Sequence, residues 1–218
     1  MIVFDGTTSR SKKISMRVTS WQPIPVLRNN YVAVPGRAGV TDFGSTGAER
    51  IIEVQCSVFP QEDFAALVGI LDDMAEWLNP DNGLKQLIIG DVPGRYYMAR
   101  LSDAVDVERL IRSSGNFTLR FVCPDPHAYA MTDETFTIAS VGTHTVTRAV
   151  GNTNSEPVYY LHANIGLFGA MRIRTNEDSF RLGHHVLREN ETLIIDSGRV
   201  TAVIVNRQSG ETLRNGCR

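Results

Sequence analysis

Apolar side chains occupy every second position of residues 116–123. Phe117, Leu119, Phe121 and Cys123 alternate with Thr118, Arg120 and Val122, the period of a strand that buries one face. Pro124 and Pro126 then end the ladder. Neither carries a backbone N–H, and each drives the residue before it, Cys123 or Asp125, into extended geometry. A spacing of three and four governs residues 61–78 instead, where Phe64, Leu67, Val68, Leu71, Met74, Ala75 and Leu78 form one stripe. This predicts a helix lying on the sheet, with Glu62 and Asp63 in its first turn, where the helix dipole favours anions, and Asn79-Pro80 as its stop.

Residues 15–21 alternate as a strand, and Pro23 and Pro25 confine the next residues to an edge or a crossover. From Tyr31 to Phe59 two apolar alternating segments enclose a tract rich in Gly, Ser and Thr, which reads as a long hairpin arm. Pro35-Gly36 suits the central pair of a type II turn, and the same Val-Pro-Gly-Arg letters recur at Val92 to Arg95, between strands predicted at 84–90 and 95–101. Residues 105–111 fit a strand or a short helix. Beyond Tyr129 the pattern is all-β, with strands predicted at 134–140, 143–150, 157–165, 170–175, 179–182, 191–196 and 199–206. The last residues read as a turn with no strand left to return, leaving an edge missing or supplied elsewhere.

Composition narrows the classes open to such a chain. Its 218 residues allow one large or two small domains, and 42% hydrophobic with 21% charged is ordinary for a globular protein. Lys plus Arg (22) nearly balance Asp plus Glu (24), and the scattered charge gives no basic stripe for nucleic acid; Lys12-Lys13 is a short solvated pair. No run reaches ~18 apolar residues, and the N-terminus lacks the order of a signal peptide, so neither membrane insertion nor export by that route is expected. Cys56, Cys123 and Cys217 are odd in number and far apart, which favours reduced thiols over a disulfide framework.

Catalytic constellations are not found. His184-His185 is the one histidine pair, but neighbours on a strand point to opposite faces, and no ligand with metal-site spacing accompanies them. His127, at the boundary after Pro126, reads as a packing residue more readily than an acid or base, and His144 and His162 lie in predicted strands with no nearby nucleophile. Gly44-Ser45-Thr46-Gly47 lacks the spacing of a nucleophile elbow, and Asp72-Asp73 lies opposite the helix stripe, where carboxylates are solvated. Trp21, Trp77, Tyr96, Tyr97, Tyr159 and Tyr160 serve a core or an interface more readily than a sugar platform. The anomaly is the arm, which cannot cover its own core: such a segment is either held by a partner or mobile. In a ring of identical copies each arm can lie on its neighbour in a contact that closes by rotation.

Val34-Pro-Gly-Arg-Ala-Gly39, Trp77-Leu-Asn-Pro80, Tyr96-Tyr-Met-Ala-Arg100 and Phe121-Val-Cys-Pro-Asp-Pro126 followed by Tyr129, in this order and spacing, resemble the distal tail protein (Dit) family of long non-contractile-tailed bacteriophages and related prophages. Gly151-Asn-Thr-Asn-Ser-Glu-Pro157 is similar to the entry to that family's second domain. The resemblance implies a mainly β protein: an N-terminal β-sandwich with one flanking helix, related to tail-tube proteins, over residues 1–128, and a C-terminal galectin-like or carbohydrate-module-like sandwich over 129–218. It further implies a non-enzymatic, cofactor-free homo-hexameric ring at the virion tail tip, assembled in the host bacterial cytoplasm. Such a ring joins the tail tube protein to the tail-associated lysin or tip protein and, in some phages, holds receptor-binding proteins. On the hairpin argument and this analogy, Tyr31, Val34, Pro35, Arg37, Val40 and Phe43 are the expected subunit-interface residues. The competing expectation is a carbohydrate-binding accessory for cell-wall saccharide, with Tyr159 or Tyr160 as glycan contacts in an open groove.

Overall fold

In the computed structural model, which describes residues 1–102, 116–140, 142–163, 167–174 and 179–215, the chain starts with a short buried strand, Ile2–Phe4 (β1). Asp5 and Gly6, with φ of 48° and 72°, turn it into Thr7–Thr8 (β2), and Ile14–Ser20 (β3) follows. Next come Leu27–Ala33 (β4), Val40–Gly47 (β5), Arg50–Val58 (β6), the helix Phe64–Trp77 (α1), Lys85–Ile89 (β7), Arg95–Leu101 (β8), Asn116–Cys123 (β9) and Tyr129–Ala130 (β10). The segment 105–111, expected as strand or helix, lies outside the described residues. Two compact units are formed, Met1–Gly151 and Asn152–Arg218, and the division falls at the start of the Gly151 to Pro157 tract.

In the first unit an antiparallel sheet runs β2-β1-β7-β8-β9-β6-β3, with β10 added on β8. The middle of β8 pairs with β7, Tyr97 opposite Leu87, whereas its last residues pair with β9, Leu101 opposite Phe121. The sheet changes direction along that strand, and its two halves turn their apolar faces to one core. Ile2, Phe4, Leu87 and Ile89 come from one half, and Ile52, Val54, Leu119 and Phe121 from the other. The alternation in 116–123 is seen as burial of Leu119, Phe121 and Cys123, while Thr118 and Arg120 face outward.

Helix α1 closes this core with Ile70, Leu71 and Met74, and Leu78 is buried just beyond its end. It is shorter than the expected 61–78, because Asp63 caps it: its carboxylate accepts the Ala66 N–H at 2.7 Å, so Asp63 stands at the cap and Glu62 before it, outside the first turn. The buried stripe is also narrower than the apolar one, and Phe64, Val68 and Ala75 are exposed. Trp77 Nε1 donates to the Phe4 carbonyl at 3.0 Å, and Trp21 Nε1 to the Tyr97 hydroxyl at 3.0 Å, tying helix and crossover to the sheet.

Two strands expected after Tyr129, at 134–140 and 143–150, are not strands among the described residues. The Glu134 carboxylate accepts the Ala149 and Val150 N–H groups at 2.9 and 3.1 Å, and the His144 ring is hydrogen-bonded to the Ser140 carbonyl. Side-chain bonds of this kind compete with a ladder for the same backbone groups.

The second unit holds Val158–His162 (β11), Leu167–Arg174 (β12), Ser179–Leu187 (β13), Glu191–Asp196 (β14), Thr201–Asn206 (β15) and Thr212–Asn215 (β16). β11-β14-β15-β16 form one antiparallel sheet, and β12 and β13 pair as a hairpin. Leu187, Leu193, Ile195, Ala202 and Ile204 are its buried centre. The tail, expected to lack a returning strand, is itself that strand: Thr212 and Arg214 stand opposite Val205 and Ile204. Asn206 makes the return by accepting the Gln208 and Ser209 N–H groups on its side chain, and Gly210 takes a φ of 70°. The chain is thus mainly β, with α1 as its α-helix among the described residues.

Candidate assembly interface

The hairpin arm exists, but its second leg is the glycine-, serine- and threonine-rich tract itself, which forms β5 against β4. Residues 34–39 make the tip, where Arg37 N–H bonds the Val34 carbonyl at 3.1 Å across Pro35-Gly36 and Gly36 has a φ of 82°. Those are the features of the type II turn that the Pro-Gly pair predicts. Opposite Asn30 the ladder is irregular, with Phe43 and Gly44 set against one residue; Gly44 takes a φ of 87° and donates to the Asp42 carboxylate.

β4 and β5 pair with each other in a two-stranded sheet of their own, and all residues of β4 are exposed. By register and alternation, Tyr31, Ala33, Val40 and Asp42 share one face, and Val32, Thr41 and Phe43 the other. Both faces therefore present apolar groups to solvent, Val40 at 59% and Phe43 at 68% exposure. The structure gathers the expected interface residues Tyr31, Val34, Pro35, Arg37, Val40 and Phe43 onto this one ribbon, all exposed. An isolated two-stranded ribbon is marginal in water, and apolar surface on both sides fits a site that becomes covered.

The root of the arm is built differently. Ala48 is buried and its N–H bonds the Val26 carbonyl at 2.7 Å, closing the two legs together. Arg28 and Glu49 form an exposed ion pair outside. Arg50, at 5% exposure, donates from Nε to the Pro126 carbonyl at 2.8 Å and from a terminal nitrogen to the Gln22 carbonyl, with its guanidinium 5.4 Å from the Tyr97 ring centre. No motif in the sequence singles out Arg50. Its parity holds the signal, since Arg50 shares the inward positions of β6 with Ile52, Val54 and Cys56.

Beside this root Asp125 accepts from the His127 backbone N–H at 2.9 Å and from the Tyr129 hydroxyl, and lies 2.8 Å from His127 Nδ1. Burial pushes its carboxyl up, but the bonds from Tyr129 and His127 outweigh it and hold the group below the ordinary range. Tyr129 stacks on Tyr96 with ring centres 5.4 Å apart. Cys56 and Cys123 are free and buried, which pushes both thiols up to about 12.

Other candidates are dispersed. Tyr159 and Tyr160 fall on opposite faces of β11: Tyr159 packs toward the core of its unit and Tyr160 is 61% exposed. His184 and His185 lie on β13 opposite Ala170 and Gly169. Asp72 and Asp73 are exposed on α1. Two shallow grooves in the first unit, of about 340 and 260 Å³, are lined by groups such as Lys12, Lys13 and Asp73 or Val18, Trp21 and Asp91, and neither includes a histidine or cysteine.

The sequence profile of the phage tail protein RIFT-related domain family matches residues 5–123, more than half of the chain. The chain belongs to that family. It is a structural tail component, and its place is the virion tail. Among solved structures, it is similar to the Dit protein (gp 19.1) of phage SPP1, described as a paradigm of the hub adsorption apparatus in phages infecting Gram-positive bacteria. The match has a TM-score of 0.62 at 15% identity and covers 97% of this tail protein and 84% of that chain, which establishes a shared fold. No curated protein sequence matches it.

Proposed function

We propose that this tail component is a passive ring subunit: copies close around an axis at the distal end of the tail, forming a hub between the tail tube and the tip. The observation that carries the reading is the β4–β5 ribbon, which presents apolar groups on both faces and is exposed along all of β4 and all of β5 but Thr41. A ribbon of this kind suits a head-to-tail contact in which each copy holds the next and rotation closes the set. Six copies, the tail tube protein on one side and a tail-associated lysin or tip protein on the other are the arrangement that the family resemblance suggests, with assembly in the host cytoplasm. The second unit is, on this reading, a galectin-like or carbohydrate-module-like sandwich carried on the ring, and receptor-binding proteins are further partners. No reaction is part of the proposal.

Purified chain should assemble with rising concentration, as read by light scattering and electron microscopy, and a variant lacking residues 38–47 should remain a folded monomer. A deletion variant that assembles like the parent overturns the clasp. A second reading has one observation in its favour, the 61% exposure of Tyr160: the second unit would grip cell-wall saccharide. Glycan binding by the full chain, abolished by Tyr160→Ala with assembly intact, would place that activity beside the structural role.

A further inference from the structure

We infer that Arg50 is the positioning residue of the arm: one buried side chain fixes the direction in which the β4–β5 ribbon leaves its domain. The inference rests on the clasp reading for its purpose, though not for its geometry. Along β6 the inward positions after Arg50 are Ile52, Val54 and Cys56, all fully buried, and a cation at the head of that row is costly unless its donors are used. They are used on two carbonyls from segments distant in sequence. Gln22 belongs to the crossover that feeds β4, Pro126 to the stop that ends β9, and Arg50 itself follows the exit of β5. A single planar fork therefore joins the way into the arm, the way out of it and the body of the domain. The Tyr97 ring flanks the guanidinium, and charge-assisted bonds with fixed directions are what a guanidinium supplies and a lysine ammonium does not.

The surrounding contacts hold the legs to each other more than to the domain. Ala48 to Val26 closes the hairpin, and Arg28 to Glu49 joins its legs on the exposed side. Pro126 of the domain also approaches the arm, its ring carbon 3.5 Å from where a side chain on Gly47 would begin. Leverage makes the root decisive. Seven residues of β4 at ~3.3 Å each reach roughly 23 Å, so a swing of about 20° at the root carries the tip roughly 8 Å off target. A clasp that must meet the same place on the next copy cannot tolerate that.

The test places spin labels at Ala38→Cys on the tip and Asp72→Cys on α1, in a full chain carrying Cys217→Ser; Cys56 and Cys123, buried with thiols pushed up to about 12, stay unlabelled. With Arg50 present, the dilute monomer should give one narrow distance. Arg50→Met should at least double the width of that distribution and raise the assembly midpoint concentration tenfold or more, with native circular dichroism retained. Arg50→Lys, which keeps the charge but lacks the planar fork, keeps the experiment decisive should the methionine variant fail to fold, and should give an intermediate width. A width unchanged in either folded variant overturns the inference, as does a broadened arm that assembles at the parent's midpoint. A parent that stays monomeric at every concentration defeats the clasp reading instead, and the distance widths then judge the latch alone.

Discussion

The ring of Phe4 lies 5.2 Å from the ring of Phe121, their planes inclined at 49°, so the first strand of the chain meets the strand that ends its family domain. The contact crosses from one half of the curled sheet to the other, and Phe121 is fully buried between them. Truncating a ring at such a place removes apolar burial and leaves a cavity on both sides. Phe121→Ala should lower unfolding stability by about 3–5 kcal/mol, whereas Thr118→Ala, outward on the same strand, should stay within about 0.5 kcal/mol. Both tryptophans, Trp21 and Trp77, belong to this unit, so their fluorescence in a urea titration reads the loss directly.

A tighter constraint acts where Gly90 passes the N-terminus. Its N–H bonds the Met1 carbonyl at 2.8 Å, and a Cβ placed there would stand 2.7 Å from the same oxygen. The nearest atoms it would meet are all Met1 backbone, so no flexible side chain is there to give way. Gly90→Ala should cost about 1–3 kcal/mol by displacing β1 and the Phe4 it carries, again by tryptophan-monitored unfolding. Gly94→Ala meets no atom within 4 Å and bears only the strain of its φ of 79°, about 1 kcal/mol.

How far such features can be read from sequence depends on how many residues repeat the signal. The period of two in β9 and the helical spacing of α1 each extend over enough positions to be unmistakable, and both Val-Pro-Gly-Arg turns follow from the φ preferences of Pro and Gly. β1 has three residues and no period to show, yet it supplies Ile2 and Phe4 to the core. Alternation at 134–140 and 143–150 indicates competence to form strands, but the Glu134 carboxylate takes two of the amides a ladder would need. The site divides in the same way. That an arm exists is legible from its turn; that its polar tract is the second strand depends on pairing with β4. The latch joins Gln22, Arg50 and Pro126, which no local pattern links.

Asp125 gives the stop after β9 a dependence on pH. Its folded carboxyl lies below the ordinary value, since the bonds from Tyr129 and His127 exceed the effect of burial. A depressed carboxyl adds stability above its unfolded pKa and loses it as pH falls through the folded one. Unfolding midpoints should therefore show the parent ahead of Asp125→Asn at neutral pH, with the gap closing below about pH 4. A gap of constant size down to about pH 2 would mean that the charge of Asp125 contributes nothing.

Phe43 and Val40 separate folding from assembly. They lie on opposite faces of the ribbon at 68% and 59% exposure, so neither supports the monomer's core. Phe43→Asp and Val40→Asp should each leave the unfolding midpoint within about 0.5 kcal/mol of the parent. A charge carried into a covered apolar contact is costly unless it finds a partner, so a variant on a covered face should raise the concentration needed for assembly by at least about tenfold. If both faces are covered, the two variants act alike; if one face stays wet, only the variant on the covered face acts. Concentration-dependent light scattering on the two proteins distinguishes a ribbon enclosed between surfaces from one laid on a single surface.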